Sequence, residues 1–281
     1  MKRYGILGYN IGYSLSPAMH KAAFKKLKLR SDYKIFDVKP DNLDEFFNNL
    51  LRSNISGLNI TVPYKRKAYE FVKKFGTIDK KAESLEVINT IAIKDKNING
   101  YNTDTLGFMR SLEENLGFNP TNKTVFIFGA GGAGAACAGS LAATVKRIYM
   151  FDVDIKKLEE FAKVFSKQWG KSKLIIIKDR RGAFRKAIKE SVLIVNASPF
   201  GMGKEEMLID PAFLHKRLMI FDLIYCVTKT PIMKVAKKRG IKAVNGLGML
   251  LYQGMASFEI WTGRKAPVTA MKKALVQALK K

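Results

Sequence analysis

Apolar and polar positions change period several times along the chain. Leu58, Ile60 and Val62 alternate with polar residues, a period of two that predicts a half-buried strand. Pro63 ends it, because proline has no N–H to give a ladder. Ala68, Phe71, Val72 and Phe75 then recur at helical spacing. Around this stretch the pattern predicts a strand over residues 3–8 and a helix with Ser16 as N-cap and Pro17 in its first turn. Met19, Ala23 and Leu27 form that helix's apolar side. Further strands are predicted at 33–38, 90–93 and 98–101, the last two joined by a turn at 95–97, and an amphipathic helix at 43–52. Strand and helix alternate, which implies an α/β layer of its own.

A helix over 105–116 places Leu106, Met109, Leu112 and Leu116 on one side. Gly117 closes it and Pro120 follows. It connects into a second domain that opens with TVFIF at 124–128, GAGGAG at 129–134 and a helix of small residues to about 143. Strands at 146–151, 174–177, 192–195, 218–221 and 242–244, with helices at 158–165 and 232–238, predict a parallel doubly wound sheet. Terminal helices at 247–261 and 266–279 are expected to return to the first domain and close a cleft. The fold class is therefore α/β, divided as 1–104, 105–245 and 246–281.

The composition is that of an ordinary globular protein, with 47% hydrophobic residues. No apolar run can span a bilayer, and MKRYGILGYNIGYS lacks the apolar core of a signal peptide. Cys137 and Cys226 sit in apolar surroundings far apart in sequence, which predicts buried thiols in a reducing cytoplasm. The net charge of +26 raises nucleic acid or an anionic surface as partners. The excess is spread, however: +8 over residues 1–105, +13 over 106–245 and +5 over 246–281. The densest run, Lys178 to Lys189, reads as a solvated helix face, and no aromatics interleave with a basic strand. The charge is read as a surface property that attracts small anions, without specific nucleic-acid binding. Two histidines and no His/Cys/carboxylate cluster point to no metal, and His20 reads as a core-edge or surface residue.

Candidate chemistry falls in two places. Gly129, Gly131 and Gly134 fit G-x-G-x-x-G directly after an apolar strand and at a helix start. An acidic residue stands about 20 positions on, as a dinucleotide-binding loop requires. Asp152 is placed to accept from the adenosine ribose hydroxyls and would repel a 2′-phosphate, which favours NAD(H) over NADP(H) while leaving NADP(H) possible. Asp154 competes for that role, and Lys156 and Lys157 could soften the discrimination. In the first domain, Lys65 lies on the inward stripe of its helix, at the mouth. Burial and the positive helix end should both lower its pKa, suiting proton transfer, while a lysine covering the helix end is the alternative. Asp104 reads either as an N-cap or as a partner in chemistry. Ser14, Ser16 and Asn89 read as capping or turn residues.

Taken together, GYSLSPAMH, GLNITVPYK, VINT, GYNTD, GAGGAG, NASPFGM and the run from GLGML to WTG follow the order and spacing of the shikimate dehydrogenases. The chain resembles that family over nearly its whole length. The resemblance implies a substrate domain facing a Rossmann domain across a cleft. It implies interconversion of shikimate and 3-dehydroshikimate by hydride transfer at a nicotinamide, on the route to chorismate and the aromatic amino acids. By resemblance, Lys65 and Asp104 form the catalytic pair. Ser14, Ser16, Thr61, Asn89 and Gln253 bind substrate carboxylate and hydroxyls, with Tyr225 at the carboxylate end. Gly129, Ala130, Gly131, Gly132 and Ala133 hold the pyrophosphate, Leu223 and Gly246 lie near the nicotinamide, and Asp79 matches a position beside the cofactor. The working form would be a monomer or homodimer. Two departures stand out. Glu86-Val87-Ile88 replaces a small pair before Asn89, which bears on the placement of that loop. Asp152-Val153-Asp154 replaces the Asn-Arg-Thr of NADP-using members and is similar to NAD-using relatives, some of which act on quinate.

Overall fold

The computed structural model describes residues 1–179, 182–202, 207, 209–226 and 229–280. They fall into two units, residues 1–107 with 250–281, and residues 108–249. The first unit contains β1 (Lys2–Gly8), α1 (Ser16–Lys26), β2 (Ser31–Asp37), α2 (Leu43–Leu50), β3 (Ile55–Ile60), α3 (Lys65–Phe75), β4 (Thr77–Ile78), α4 (Lys80–Leu85), β5 (Thr90–Lys94) and β6 (Asn97–Tyr101). α5 (Asp104–Ser111) runs across the boundary. The second unit contains β7 (Thr124–Phe128), α6 (Gly132–Ala142), β8 (Arg147–Phe151), α7 (Ile155–Trp169), β9 (Leu174–Ile177), α8 (Gly182–Glu190), β10 (Leu193–Asn196), β11 (Met219–Asp222), α9 (Pro231–Lys238) and β12 (Lys242–Asn245). Then α10 (Leu247–Thr262) and α11 (Val268–Ala278) complete the first unit, α11 packing on α1.

The first sheet has the order β2-β1-β3-β5-β6-β4. Helical crossovers make β1, β2 and β3 parallel, whereas β5 runs antiparallel to both β3 and β6. The β5–β6 turn has left-handed φ at both Asp95 (50°) and Lys96 (63°), the geometry that suits a tight hairpin. Because β3 and β6 end where β5 begins, residues just after β3, just before β5 and just after β6 share one edge of the sheet.

β3 departs from the half-buried expectation. Asn59 is 4% exposed, as hidden as Leu58 and Ile60, because both faces of the sheet are covered. Tyr33 and α10 close the face that carries Asn59. The inward stripe of α3 is Lys65, Ala68, Tyr69 and Val72. Phe71 is only partly buried against the core and Phe75 is exposed, while Tyr69 belongs to the buried cluster. Ser16 is not the N-cap of α1. It is the first helical residue, and its N–H donates to Ser14 Oγ at 3.3 Å, so the preceding serine makes the turn.

His20 is fully buried rather than at an edge. Its ring stacks on Tyr33 at 4.5 Å, and α10 passes close by at Gly254. Burial pushes its pKa down to about 3, with Asn59 opposing only in part. The folded protein therefore holds the ring neutral, while the unfolded chain binds a proton near the ordinary value of 6.5. The stability owed to His20 is complete above that value and falls as the pH drops through the window from about 6.5 to 3. At pH 5, His20→Phe should recover about 2 kcal/mol of pH-dependent loss relative to its own behaviour at pH 7.5. Urea unfolding of both proteins at the two pH values measures this, and equal pH dependence would refute it.

In the second unit all paired strands are parallel, in the order β12-β11-β10-β7-β8-β9. The direction of winding reverses between β7 and β10, the switch point at which such sheets bind ligands. Phe126, Phe128, Tyr149, Phe151 and Phe184 form the buried aromatic part of its core. The helix at 105–116 is α5 followed by a π-helical turn at Leu112–Leu116. Phe108, Leu112 and Leu116 are buried and Leu106 is 43% exposed, so the expected stripe through Leu106 does not form. Within the basic run from Lys178 to Lys189, α8 buries Phe184, Ala187 and Ile188 and exposes Arg185, Lys186 and Lys189. Arg180 and Arg181 lie outside the described residues. Cys137 is buried, but Cys226 is only half-buried, and neither forms a disulfide among the described residues. No described helix is long and apolar enough to cross a membrane.

Candidate functional site

In the first unit, the shared sheet edge gathers four of the predicted residues. Lys65 opens α3, Asn89 precedes β5, Asp104 opens α5 and Gln253 lies on α10. Lys65 Nζ stands 2.6 Å from Asp104 Oδ2, and both residues are buried, at 9% and 5% exposure. Asn89 Nδ2 donates to Asp104 Oδ1 at 2.9 Å and approaches Gln253 Oε1 at 3.4 Å. The amide orientation of Asn89 is fixed at both ends. Its Oδ1 accepts from the Thr103 N–H at 2.7 Å, a group that only donates, and its Nδ2 faces a carboxylate, which only accepts. The departure at 86–88 is accommodated without losing this contact. Glu86 adopts a left-handed φ of 52° at the end of α4, and the Ile88 N–H donates to the Lys65 carbonyl at 3.1 Å.

A buried ammonium and carboxylate each lose several kcal/mol of hydration, so such a pair is weak evidence for stability and stronger evidence for chemistry. The arrangement offers a proton donor held in a defined place by an acceptor, beside amide groups able to bind hydroxyls.

The other first-unit candidates lie on neighbouring loops. Ser14 and Ser16 follow β1 and Thr61 follows β3. The two loops are tied together by Thr61 N–H to the Leu7 carbonyl at 2.9 Å and Tyr9 N–H to the Val62 carbonyl at 3.1 Å. Asp37 steadies the serine loop by accepting from the N–H groups of Asn10 at 2.8 Å and Ile11 at 3.2 Å. Asp79 caps α4 through Ala82 N–H at 3.0 Å and also accepts from Asn102 N–H at 3.3 Å. Sequence reading missed Asn59, Thr90, Thr103 and Ser257, which are buried in contact with one another behind Asn89. Only a polar residue inside an apolar strand, Asn59 between Leu58 and Ile60, signalled them.

In the second unit the glycine loop follows β7, beside the switch point. Gly129 has φ 96° and backs onto the Ala197 carbonyl, which would lie 2.6 Å from an added Cβ. A Cβ on Gly134 would come within 1.9 Å of the Gly129 carbonyl, so strand and helix meet there without space for a side chain. At Gly131 a Cβ would meet only Lys157, at 3.4 Å, so this backbone is open to a ligand. Gly132 and Ala133 begin α6. Open backbone at the start of an 11-residue helix fits a pyrophosphate.

Asp152 follows β8, and its carboxylate braces this loop. Oδ2 accepts from Ala130 N–H at 2.6 Å and Oδ1 from Asp154 N–H at 3.0 Å. Lys157 Nζ lies 3.9 Å from it, and Asp154 caps α7 through the Lys157 N–H at 3.0 Å. Leu223 and Tyr225 follow β11. Gly246 packs so closely on the Leu223 carbonyl that a Cβ would lie 2.0 Å away. Asp222, just before, is fully buried. Burial pushes its carboxyl up, against hydrogen bonds from Thr230, Ile224 N–H and Asn196 that pull it down. Among the described residues, no group of three or more His, Cys, Asp or Glu could hold a metal ion.

A family model for the shikimate dehydrogenase substrate binding domain matches residues 6–91, and one for the shikimate 5'-dehydrogenase C-terminal domain matches residues 246–276. A shikimate dehydrogenase (NADP(+)) of Desulforamulus reducens is 38% identical over 276 residues, covering 96% of this chain and 93% of its own. A crystal structure of a shikimate dehydrogenase in complex with NADP+ superposes with a TM-score of 0.88 at 35% identity, covering 100% of this chain and 96% of that one. The shikimate 5-dehydrogenase of Listeria monocytogenes, in complex with shikimate and NAD, gives 0.85 at 31% identity, covering 97% and 96%.

Proposed function

The chain belongs to the shikimate dehydrogenase family, and from that premise we propose that it interconverts shikimate and 3-dehydroshikimate, with a nicotinamide dinucleotide as hydride carrier. The reaction serves chorismate and aromatic amino acid biosynthesis. The observation that carries the reading is the buried Lys65–Asp104 pair with Asn89 and Gln253 around it. In the reducing direction, Lys65 Nζ gives its proton to the ketone oxygen as the carbon accepts hydride. In the oxidising direction the amine takes the hydroxyl proton. Asp104 holds the ammonium in place. Such a general acid or base contributes roughly 10²–10⁴ in rate.

Ser14, Ser16, Thr61, Asn89 and Gln253 supply hydroxyl and amide partners for a polyhydroxylated acid, with Tyr225 at its carboxylate. Gly129 to Ala133 hold the pyrophosphate, and Asp79, Leu223 and Gly246 border the nicotinamide end. The nicotinamide, when bound, supplies the hydride chemistry and the protein supplies orientation.

Cofactor choice is set at the end of β8. The Asp152 charge opposes a 2′-phosphate, and no arginine follows it, which supports NAD. The relatives' names and Lys157, 3.9 Å from Asp152, support NADP. Asp152→Asn combined with Val153→Arg should shift the kcat/KM ratio toward NADP by about tenfold or more. An unchanged ratio would remove Asp152 from cofactor selection.

Initial rates with shikimate and quinate, each crossed with NAD and NADP, test the whole reading. Turnover of shikimate is expected. Equal turnover of quinate would favour a broader quinate/shikimate enzyme, and silence in all four assays would overturn the proposal. In solution the protein is a monomer or homodimer, and light scattering reads this directly.

A further inference from the structure

Behind Asn89 runs a line of buried hydrogen bonds through Thr103, Thr90 and Ser257. Ser257 Oγ lies 3.0 Å from the Gln253 carbonyl, which can only accept, so the one hydroxyl proton of Ser257 is spent there. Ser257 Oγ must then be the acceptor from Asn59 Nδ2 at 2.9 Å and from Thr90 Oγ1 at 2.8 Å. With its own proton used on Ser257, Thr90 Oγ1 accepts from Thr103 Oγ1 at 3.2 Å and from Asn59 Nδ2 at 3.2 Å. Thr103 Oγ1 in turn accepts from Asn89 Nδ2 at 2.9 Å. One consistent set of donors runs from the Asn89 amide through Thr103, Thr90 and Ser257 to a carbonyl on α10, and Asn89 Oδ1 is a further acceptor within reach of Thr103 Oγ1 at 3.2 Å and Thr90 Oγ1 at 3.3 Å. The second N–H of Asn89 goes to Asp104. Thr90 and Ser257 are fully buried, out of contact with bulk solvent. Hydrogen bonds in series polarise one another, and a gap in such a buried line leaves an unsatisfied group on either side.

We propose that Thr90 and Ser257 are positioning residues for the reaction: their hydroxyls fix the Asn89 amide, and through it the Asp104 carboxylate that faces Lys65. Neither hydroxyl touches Lys65 or Asp104 itself. The inference rests on the assignment of Lys65 and Asp104 as the catalytic pair.

Thr90→Val keeps the shape and removes the hydroxyl, and Ser257→Ala deletes a single oxygen. Each should lower kcat for shikimate oxidation about tenfold, since small displacements of a catalytic group are costly. Each should also shift the pH profile of kcat and leave the KM for the dinucleotide unchanged. Thr90→Ser and Ser257→Thr, which keep a hydroxyl, should restore both kcat and the profile. Wild-type kcat with an unshifted profile in Ser257→Ala and Thr90→Val would overturn the proposal, as would equal loss in the hydroxyl-keeping variants. Should Thr90→Val not fold, Ser257→Ala decides alone. Lys65→Ala in the same assay separates the two levels. If it remains active, the catalytic pair itself is wrong. If it is inactive while Thr90→Val and Ser257→Ala are normal, only the positioning line fails.

Discussion

Lys65→Ala is expected to lower kcat for shikimate oxidation by at least about 100-fold, the lower bound for a lost general acid or base. The affinity for the dinucleotide should stay as it is, because the glycine loop belongs to a different unit from Lys65. Two effects of the substitution must be separated. It removes the proton carrier, and it leaves the Asp104 carboxylate buried without its 2.6 Å partner. An uncompensated buried charge costs several kcal/mol in stability. Lys65→Ala combined with Asp104→Asn removes that charge, so it should melt higher than Lys65→Ala alone while remaining equally slow. Single-turnover measurement of nicotinamide reduction reads the chemical step directly. Near-normal turnover in Lys65→Ala would exclude the lysine from proton transfer, whatever the melting temperatures.

Gly134→Ala is expected to weaken dinucleotide binding by about tenfold or more. The added methyl would stand 1.9 Å from the Gly129 carbonyl, a backbone atom that cannot swing aside. Either the start of α6 moves away from β7, which destroys the loop, or the second unit loses stability. Gly131→Ala is the informative contrast. Its methyl meets only the end of the Lys157 side chain at 3.4 Å, so the fold should be retained while the pyrophosphate is kept at a distance. Gly134→Ala should therefore lower the melting temperature by several degrees or more, and Gly131→Ala should change it little. Both should weaken dinucleotide binding by about tenfold or more. Titration calorimetry with NAD and NADP measures the affinities. Normal binding by Gly134→Ala would mean that the loop does not hold the cofactor.

The second unit was the more legible part of the chain. Each of its strands was predicted within about one residue, because fully buried parallel strands read as short apolar runs between helical periods. The first unit was harder where one polar residue had two meanings. Asn59 breaks an apolar run as a surface residue would, yet it is buried against Tyr33 and Ser257. His20 looked like an edge residue, since nothing local in sequence announces an aromatic slot formed by Tyr33 and Trp261. Lys65 was found from its place on the inward stripe of α3, but its pairing with Asp104 spans 39 residues and no periodicity reports such a contact. Asp152 was found by its distance from the glycine loop. Its bond back to Ala130 depends on how that loop curls, which residue types alone do not reveal.

The first unit is made from both ends of the chain, and this dictates an order of events during synthesis. Residues 108–249 form a continuous unit that can fold once they have left the ribosome. The amino-terminal sheet is made first but must wait. Its Asn59 needs Ser257, 198 residues later, and the Ile91 carbonyl needs Trp261 Nε1. Until α10 and α11 arrive, one sheet face keeps Tyr4, Tyr33 and a set of polar groups without their covers. Nascent chains halted near residue 245 should therefore present a protease-resistant middle and a digestible beginning, and the extension through Leu279 should convert the beginning to a resistant form in one step.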